Sequence, residues 1–95
     1  MVHVMARITF EPGSADAGLG ILSELAGATR AEPGCLSYEV FRQAGAPHVF
    51  QTVEQWTDQA AADAHMATPH VGRAIAAAAP LLAAGLELAS FSKVS

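Results

Sequence analysis

The 95-residue sequence is poor in charge and in basic residues, and it contains one cysteine and no asparagine. Only 15% of its residues are charged, whereas an average domain carries roughly 25%. The five lysines and arginines are scattered singly and the net charge is −4, which argues against nucleic-acid binding. The single cysteine, Cys35, excludes an internal disulfide and suits a cytoplasmic location.

Long apolar runs are also missing. The longest, residues 74–89, is shorter than the roughly 20 residues of a membrane-spanning helix, and Pro80, Gly85 and Glu87 interrupt it. The N-terminus alternates between apolar and polar residues and lacks the features of a signal peptide. We therefore expect a cytoplasmic protein with no membrane partner. The 52% of apolar residues, many of them alanine, exclude a disordered chain.

Hydrophobic periodicity predicts one domain over residues 1–95 with the element order β-α-β-β-α-β. The predicted strands cover residues 2–10, 35–42, 48–56 and 86–94, and the helical regions cover 15–31, 57–67 and 68–79. Thr57 is expected to cap the second helix, and Thr68 followed by Pro69 starts the third. With right-handed crossovers this order gives an α+β fold, a ferredoxin-like sandwich.

Both faces of the predicted sheet carry bulky apolar side chains. Strict alternation places Leu36, Tyr38 and Val40 on one side of the second strand, with Cys35 and Phe41 on the other. Helices can cover only one face of such a sheet, so the second face needs another partner. We expect a homodimer in which two sheets pack together.

Two histidines flank the break between the last two helices. Pro69 places His70 in the first turn of its helix, where the helix dipole disfavours imidazolium and leaves a neutral ring able to accept a proton. His65 lies in the last turn of the preceding helix, where the dipole favours the protonated ring. Both positions are equally compatible with a purely structural role. Their five-residue spacing across a helix break matches no zinc template, so no metal is expected.

Four further residues are candidates for ligand binding. Trp56 ends the third strand, where its ring can pack on the core while its N–H finds a partner. Glu54 lies on the same face, and a buried carboxylate needs a partner, for which an ion pair with an arginine is expected. The arginines considered are Arg7, Arg42 and Arg73. Tyr38 and Phe50 either border an aromatic ligand or fill the core.

Three stretches together resemble the antibiotic biosynthesis monooxygenase family. They are residues 32–40 (EPGCLSYEV), 54–56 (EQW) and 64–70 (AHMATPH). The last two are most similar to the bacterial quinol monooxygenase branch, and the resemblance extends from Val2 to about Phe91. It implies a dimeric α/β barrel, with a pocket between sheet and helices in each subunit.

The resemblance also implies an activity. Some members oxidise quinols or anthrones with O₂ and without any cofactor, which requires a base, a group that holds the substrate anion and a dry cavity. His70 or His65 is then the candidate base, and Arg42 or Arg7 would steady the phenolate. The aromatic ring of the substrate would lie among Trp56, Phe50 and Tyr38.

Haem degradation, an activity of other members, is not expected, because the chain lacks the asparagine that the haem-degrading and anthrone branches use. Two other functions stay open. An isomerase of a small polar sugar phosphate would need arginines in the pocket. A non-catalytic dimeric binding protein is the remaining alternative. A filled core around Trp56 would favour that alternative, and an apolar pocket of roughly a few hundred Å³ lined by a histidine would favour the oxygenase.

Overall fold

A computed structural model describes residues 1–95. It has the predicted element order, and the helical regions predicted over residues 57–67 and 68–79 form two separate helices. The strands are β1 (Val2–Thr9), β2 (Cys35–Arg42), β3 (Val49–Trp56) and β4 (Glu87–Phe91), and the helices are α1 (Ala15–Thr29), α2 (Gln59–Met66) and α3 (Pro69–Ala78). Short 3₁₀ turns at Pro12–Ser14 and Ala79–Leu81 precede α1 and follow α3.

The four strands form one antiparallel sheet in the order β2-β3-β1-β4. This order and the helical crossovers confirm the ferredoxin-like α+β fold. Residues opposite each other in the register share a face, so the pair Val4 and Glu54 lies on the helix side, as does the pair Ile8 and Phe50.

Side-chain caps mark the starts of α2 and α3, with one correction to the prediction. Asp58, rather than Thr57, caps α2, because its carboxylate accepts a hydrogen bond from the Ala61 N–H at 2.8 Å. Thr68 caps α3 and Pro69 occupies its first turn, as predicted. The break between the helices therefore comes three residues after His65.

A β-bulge changes the predicted faces of β2. Cys35 pairs with Trp56 and Ser37 with Gln55, so Leu36 has no partner in β3. The assignment of Cys35 to the outer face was therefore wrong: it packs against the core, whereas Leu36 is half exposed. The extra residue shifts the alternation by one position, which a strict period of two cannot anticipate.

The core lies between the sheet and the helices in two clusters. One surrounds Trp56, and the other contains Phe10, Leu22 and Phe50. At Gly18, in the first turn of α1, a Cβ would overlap the Phe10 ring. The glycine thus allows α1 to lie close to the chain that leaves β1.

The other face of the sheet carries no helix. Met5 and Val53 lie there half-buried, and Phe41 and Phe91 lie there exposed. β4 is shorter than predicted and every residue of it is exposed. None of the helices combines the length and the apolarity needed to cross a membrane.

Candidate functional site

A cavity of about 180 Å³ lies between the sheet and the helices. Side chains of β1, α1, α3 and β4 line it, and nearly all of them are apolar. Leu86 and Leu88 belong to the lining and are also about half exposed, at 46% and 52%, so the cavity opens to solvent along β4. It is therefore an apolar pocket suited to a small ligand with one or two rings.

The polar groups of the lining are clustered. They come from Tyr38, Thr52, Glu54 and His65. Glu54 is 2% exposed, and its two carboxylate oxygens accept hydrogen bonds from Trp56 Nε1 at 3.0 Å and Thr52 Oγ1 at 2.7 Å. The predicted ion pair with an arginine was wrong, because neutral donors on the same strand satisfy this carboxylate.

The Tyr38 hydroxyl is free to bind a ligand. The side chain is buried, yet its oxygen makes no hydrogen bond within the chain and is not sealed from solvent. Burial, and then the negative charge of Glu54, raise the pKa of Tyr38 well above its usual range. The phenol therefore stays protonated and can donate a hydrogen bond into the cavity.

A carboxylate joins the two histidines that the sequence singled out. Glu32 Oε2 lies 2.6 Å from His65 Nδ1 and 2.8 Å from His70 Nε2. The side chains of Glu32 and His65 are buried and that of His70 is 19% exposed. His65 lines the cavity and its Nε2 has no partner within the chain, whereas His70 lies beside an outer cleft between α1 and α3. We call Glu32, His65 and His70 the Glu-His-His cluster.

Local structure holds each member of this cluster. Glu32 lies in the turn between α1 and β2, where its carbonyl accepts the Cys35 N–H and Gly34 takes a positive φ of 82°. The His65 ring packs against Trp56 with centroids 4.8 Å apart. The His65 carbonyl accepts a hydrogen bond from the Thr68 hydroxyl at 2.7 Å, which ties the end of α2 to the start of α3.

The structure brings only some of the predicted ligand-binding residues to the cavity. Trp56 is fully buried behind His65 and does not line the cavity. Phe50 fills the core next to Phe10, and the Arg42 guanidinium lies over the Phe50 ring at 5.1 Å, away from the cavity. Arg7 is exposed on the face without helices, because it alternates with the inward-facing Ala6 and Ile8. No lysine or arginine lines the cavity.

Sequence reasoning missed two polar residues of this region. Thr52 precedes Glu54 and Trp56 at intervals of two, a spacing that places all three on one face and was a usable signal. Glu32 is 33 and 38 residues from its histidine partners, and it was noted only as the first residue of the stretch 32–40 that resembles the family. No local pattern indicates that contact.

Comparison with known proteins gives the family. The sequence model described as antibiotic biosynthesis monooxygenase matches residues 1–77. The chain belongs to this family. Comparison with curated proteins finds no significant match.

Solved structures of antibiotic biosynthesis monooxygenase and of related proteins superpose along the whole chain. A crystal structure of antibiotic biosynthesis monooxygenase is 32% identical, with complete coverage of both chains and a TM-score of 0.95. PA3566 from Pseudomonas aeruginosa is 32% identical, with 99% of this chain and 94% of that one covered and a TM-score of 0.91. Rv0793 from Mycobacterium tuberculosis is 26% identical, with 99% and 95% covered and a TM-score of 0.91.

Proposed function

We propose that the protein is a cofactor-independent monooxygenase that oxidises a quinol-like or polyketide-like phenol with O₂. The observation that carries the proposal is His65, which borders an apolar cavity while its other nitrogen contacts the buried carboxylate of Glu32. An imidazole oriented by a carboxylate is a common general base. The family membership supports the same class of reaction.

In this proposal, three of the polar residues of the cavity each have a task. His65 Nε2 accepts the proton of the phenol, and Glu32 holds the ring in orientation through Nδ1. The Tyr38 hydroxyl donates a hydrogen bond to the phenolate oxygen. Glu54 offers its remaining lone pairs to a second hydroxyl of a hydroquinone. These groups replace the arginines that the sequence suggested.

The reaction balances without an added reductant. The substrate anion gives one electron to O₂, and the resulting substrate radical and superoxide combine through a new C–O bond to form a hydroperoxide. Protonation of the outer oxygen and loss of the hydrogen on that carbon break the O–O bond and release water. The product gains a carbonyl, one oxygen atom of O₂ enters it, and the substrate supplies all four electrons. The apolar lining keeps water from the radical pair.

The alternatives have less support. A sugar-phosphate isomerase would need cationic side chains around the phosphate, and the cavity has none. A binding protein without catalysis would use the same cavity, and only a turnover measurement separates it from the oxygenase. Trp56 is fully buried, as that alternative expects, but the core beside it is not filled.

We also propose that the protein is a cytoplasmic homodimer. Phe41 and Phe91 are 55% and 46% exposed on the sheet face without helices, and a second sheet would cover them. Light scattering after size-exclusion chromatography should give twice the 9.8 kDa chain mass. The substitution Phe41→Glu should shift that mass toward one chain, whereas Leu19→Glu, at an exposed apolar position of α1 on the other side of the sheet, should leave it unchanged.

The activity is tested by O₂ uptake. Chelator-treated protein is mixed with naphthohydroquinones and anthrones, and the rate is compared with that of buffer alone. The proposal expects a saturable rate above autoxidation, one O₂ consumed for each substrate molecule, and one ¹⁸O atom from ¹⁸O₂ in the product. Tight binding of these compounds with no rate above buffer would instead establish the binding-protein alternative.

A further inference from the structure

We infer that the Glu-His-His cluster is a binding site for a divalent transition-metal ion of the Zn²⁺ class. Its three ligand atoms all lie within 4.8 Å of one another. The two nitrogen-to-oxygen distances, 2.6 and 2.8 Å, are set by hydrogen bonds. Ligands about 2.1 Å from a tetrahedral metal ion lie about 3.4 Å apart, so the Glu32 oxygen has to move roughly 0.6–0.8 Å away from each nitrogen while the two nitrogens, up to 4.8 Å apart, approach the same spacing.

The charge around Glu32 favours a cation. Its side chain is 10% exposed, and no lysine or arginine lies within ion-pair distance of it, only the two histidines. A carboxylate this deeply buried requires compensation by hydrogen bonds or by positive charge. Arg30, two residues away, instead contacts the Tyr38 carbonyl and Glu39. A divalent ion would compensate Glu32 while keeping both imidazoles neutral as ligands.

The ligand types select the metal class. Two imidazoles and one carboxylate suit Zn²⁺, Co²⁺, Fe²⁺ and Cu²⁺, whereas Mg²⁺ and Ca²⁺ prefer sites built from oxygen. His70 is the most exposed member and lies beside the outer cleft, so an ion can enter from that side. Three protein ligands leave room for water to complete the coordination.

The sequence predicted no metal because His65 and His70 alone match no template. The third ligand comes from the turn between α1 and β2, which the chain brings beside the helix break. The inference does not depend on the oxygenase activity. The two uses exclude each other, since a metal would occupy the Glu32 oxygen and the His65 nitrogen that otherwise bond to each other.

Metal binding is tested on the full-length, tag-free, chelator-treated protein. Zn²⁺ is titrated by calorimetry and Co²⁺ by its visible absorption. We expect one ion per chain, with an absorption band typical of nitrogen and oxygen ligands, and no competition from a large excess of Mg²⁺. Glu32→Gln and His70→Ala should each weaken binding at least about tenfold, the loss that even outer-shell substitutions cause.

His48→Ala is the matched control, because His48 contacts no member of the cluster and its loss should leave the affinity unchanged. Circular dichroism establishes whether each variant is folded. If Glu32→Gln does not fold, His70→Ala alone tests whether the cluster binds the metal. Binding of less than one-tenth of an equivalent would overturn the inference. An affinity that is equal in wild type, the folded cluster variants and His48→Ala would overturn it as well.

Discussion

Glu54 and Glu32 are both buried carboxylates, but the structure satisfies them in different ways. Glu54 accepts hydrogen bonds from Trp56 and Thr52, which lie two residues away on the same strand. Glu32 contacts His65 and His70, which belong to two helices remote in sequence. The partners of Glu54 are an indole and a hydroxyl, which only donate to it, whereas an imidazole can both donate and accept a proton.

Because of this difference, Glu54 is a fixed polar group in the wall of the cavity, whereas Glu32 can take part in chemistry. Glu54, Thr52 and Trp56 form a local unit whose hydrogen bonds persist as long as β3 stays extended. The contacts of Glu32 depend on how the turn after α1 packs against the break between α2 and α3. Because a carboxylate accepts hydrogen bonds, His65 can donate from Nδ1 to Glu32 and keep Nε2 free to accept a proton.

The largest effect should follow the substitution Glu32→Gln. A neutral amide no longer fixes the His65 tautomer or stabilises the charge that develops on the ring, so kcat for a hydroquinone should fall on the order of 100-fold. KM should change less than about twofold, since Glu32 does not line the cavity. Steady-state O₂ uptake separates the two constants, and partial recovery by Glu32→Asp would distinguish positioning from loss of fold. A fall in KM and kcat together with a lower melting temperature would contradict the assigned role.

The matched substitution Glu54→Gln should act mainly on stability. One of its two donors then meets an amide N–H₂ group, and the free energy of unfolding should fall by about 1–3 kcal/mol. Urea unfolding measures this loss. We expect kcat to fall less than about tenfold, because Glu54 does not accept the proton in the proposed reaction. If Glu54→Gln were as inactive as Glu32→Gln, the distinction between the two carboxylates would fail.

The smallest effect should come from Arg42→Ala. Its guanidinium lies over Phe50 at the surface, where such a contact contributes about 0.5–1 kcal/mol. Turnover should stay within about twofold of wild type, because Arg42 does not line the cavity. A large loss of kcat in O₂ uptake would return Arg42 to the role that the sequence suggested for it.

The sequence predicts the parts of this molecule that depend on near neighbours. Alternation between residues 2 and 10 and between 48 and 56 identifies the central strands, and Thr68 with Pro69 identifies the start of α3. The bulge at Leu36 cannot be predicted from the sequence, because a residue without a strand partner has no signature in the composition. It nevertheless exchanges the sheet faces on which Cys35 and Leu36 lie.

In the candidate site, too, only the features that depend on near neighbours can be predicted from the sequence. His65 and His70 stand out through their positions at helix ends, where the dipole field acts on them. The partner that makes them chemically interesting, Glu32, is determined by tertiary packing alone. Arg42 and Arg7 were expected to hold the substrate anion, but the strand register places Arg7 on the face without helices, and Arg42, at the end of β2, lies over Phe50 outside the cavity lining.

Chemical rescue of the substitution His65→Ala tests the proposed role of this histidine most directly. Without the imidazole, O₂ uptake with a reactive hydroquinone should fall about 10²- to 10⁴-fold, the usual contribution of a general base. Free imidazole should restore part of the rate in a saturable way, because the space left by the ring opens into the cavity. It should have no such effect on wild type. A variant as active as wild type, or one that imidazole accelerates no more than wild type, would contradict the account.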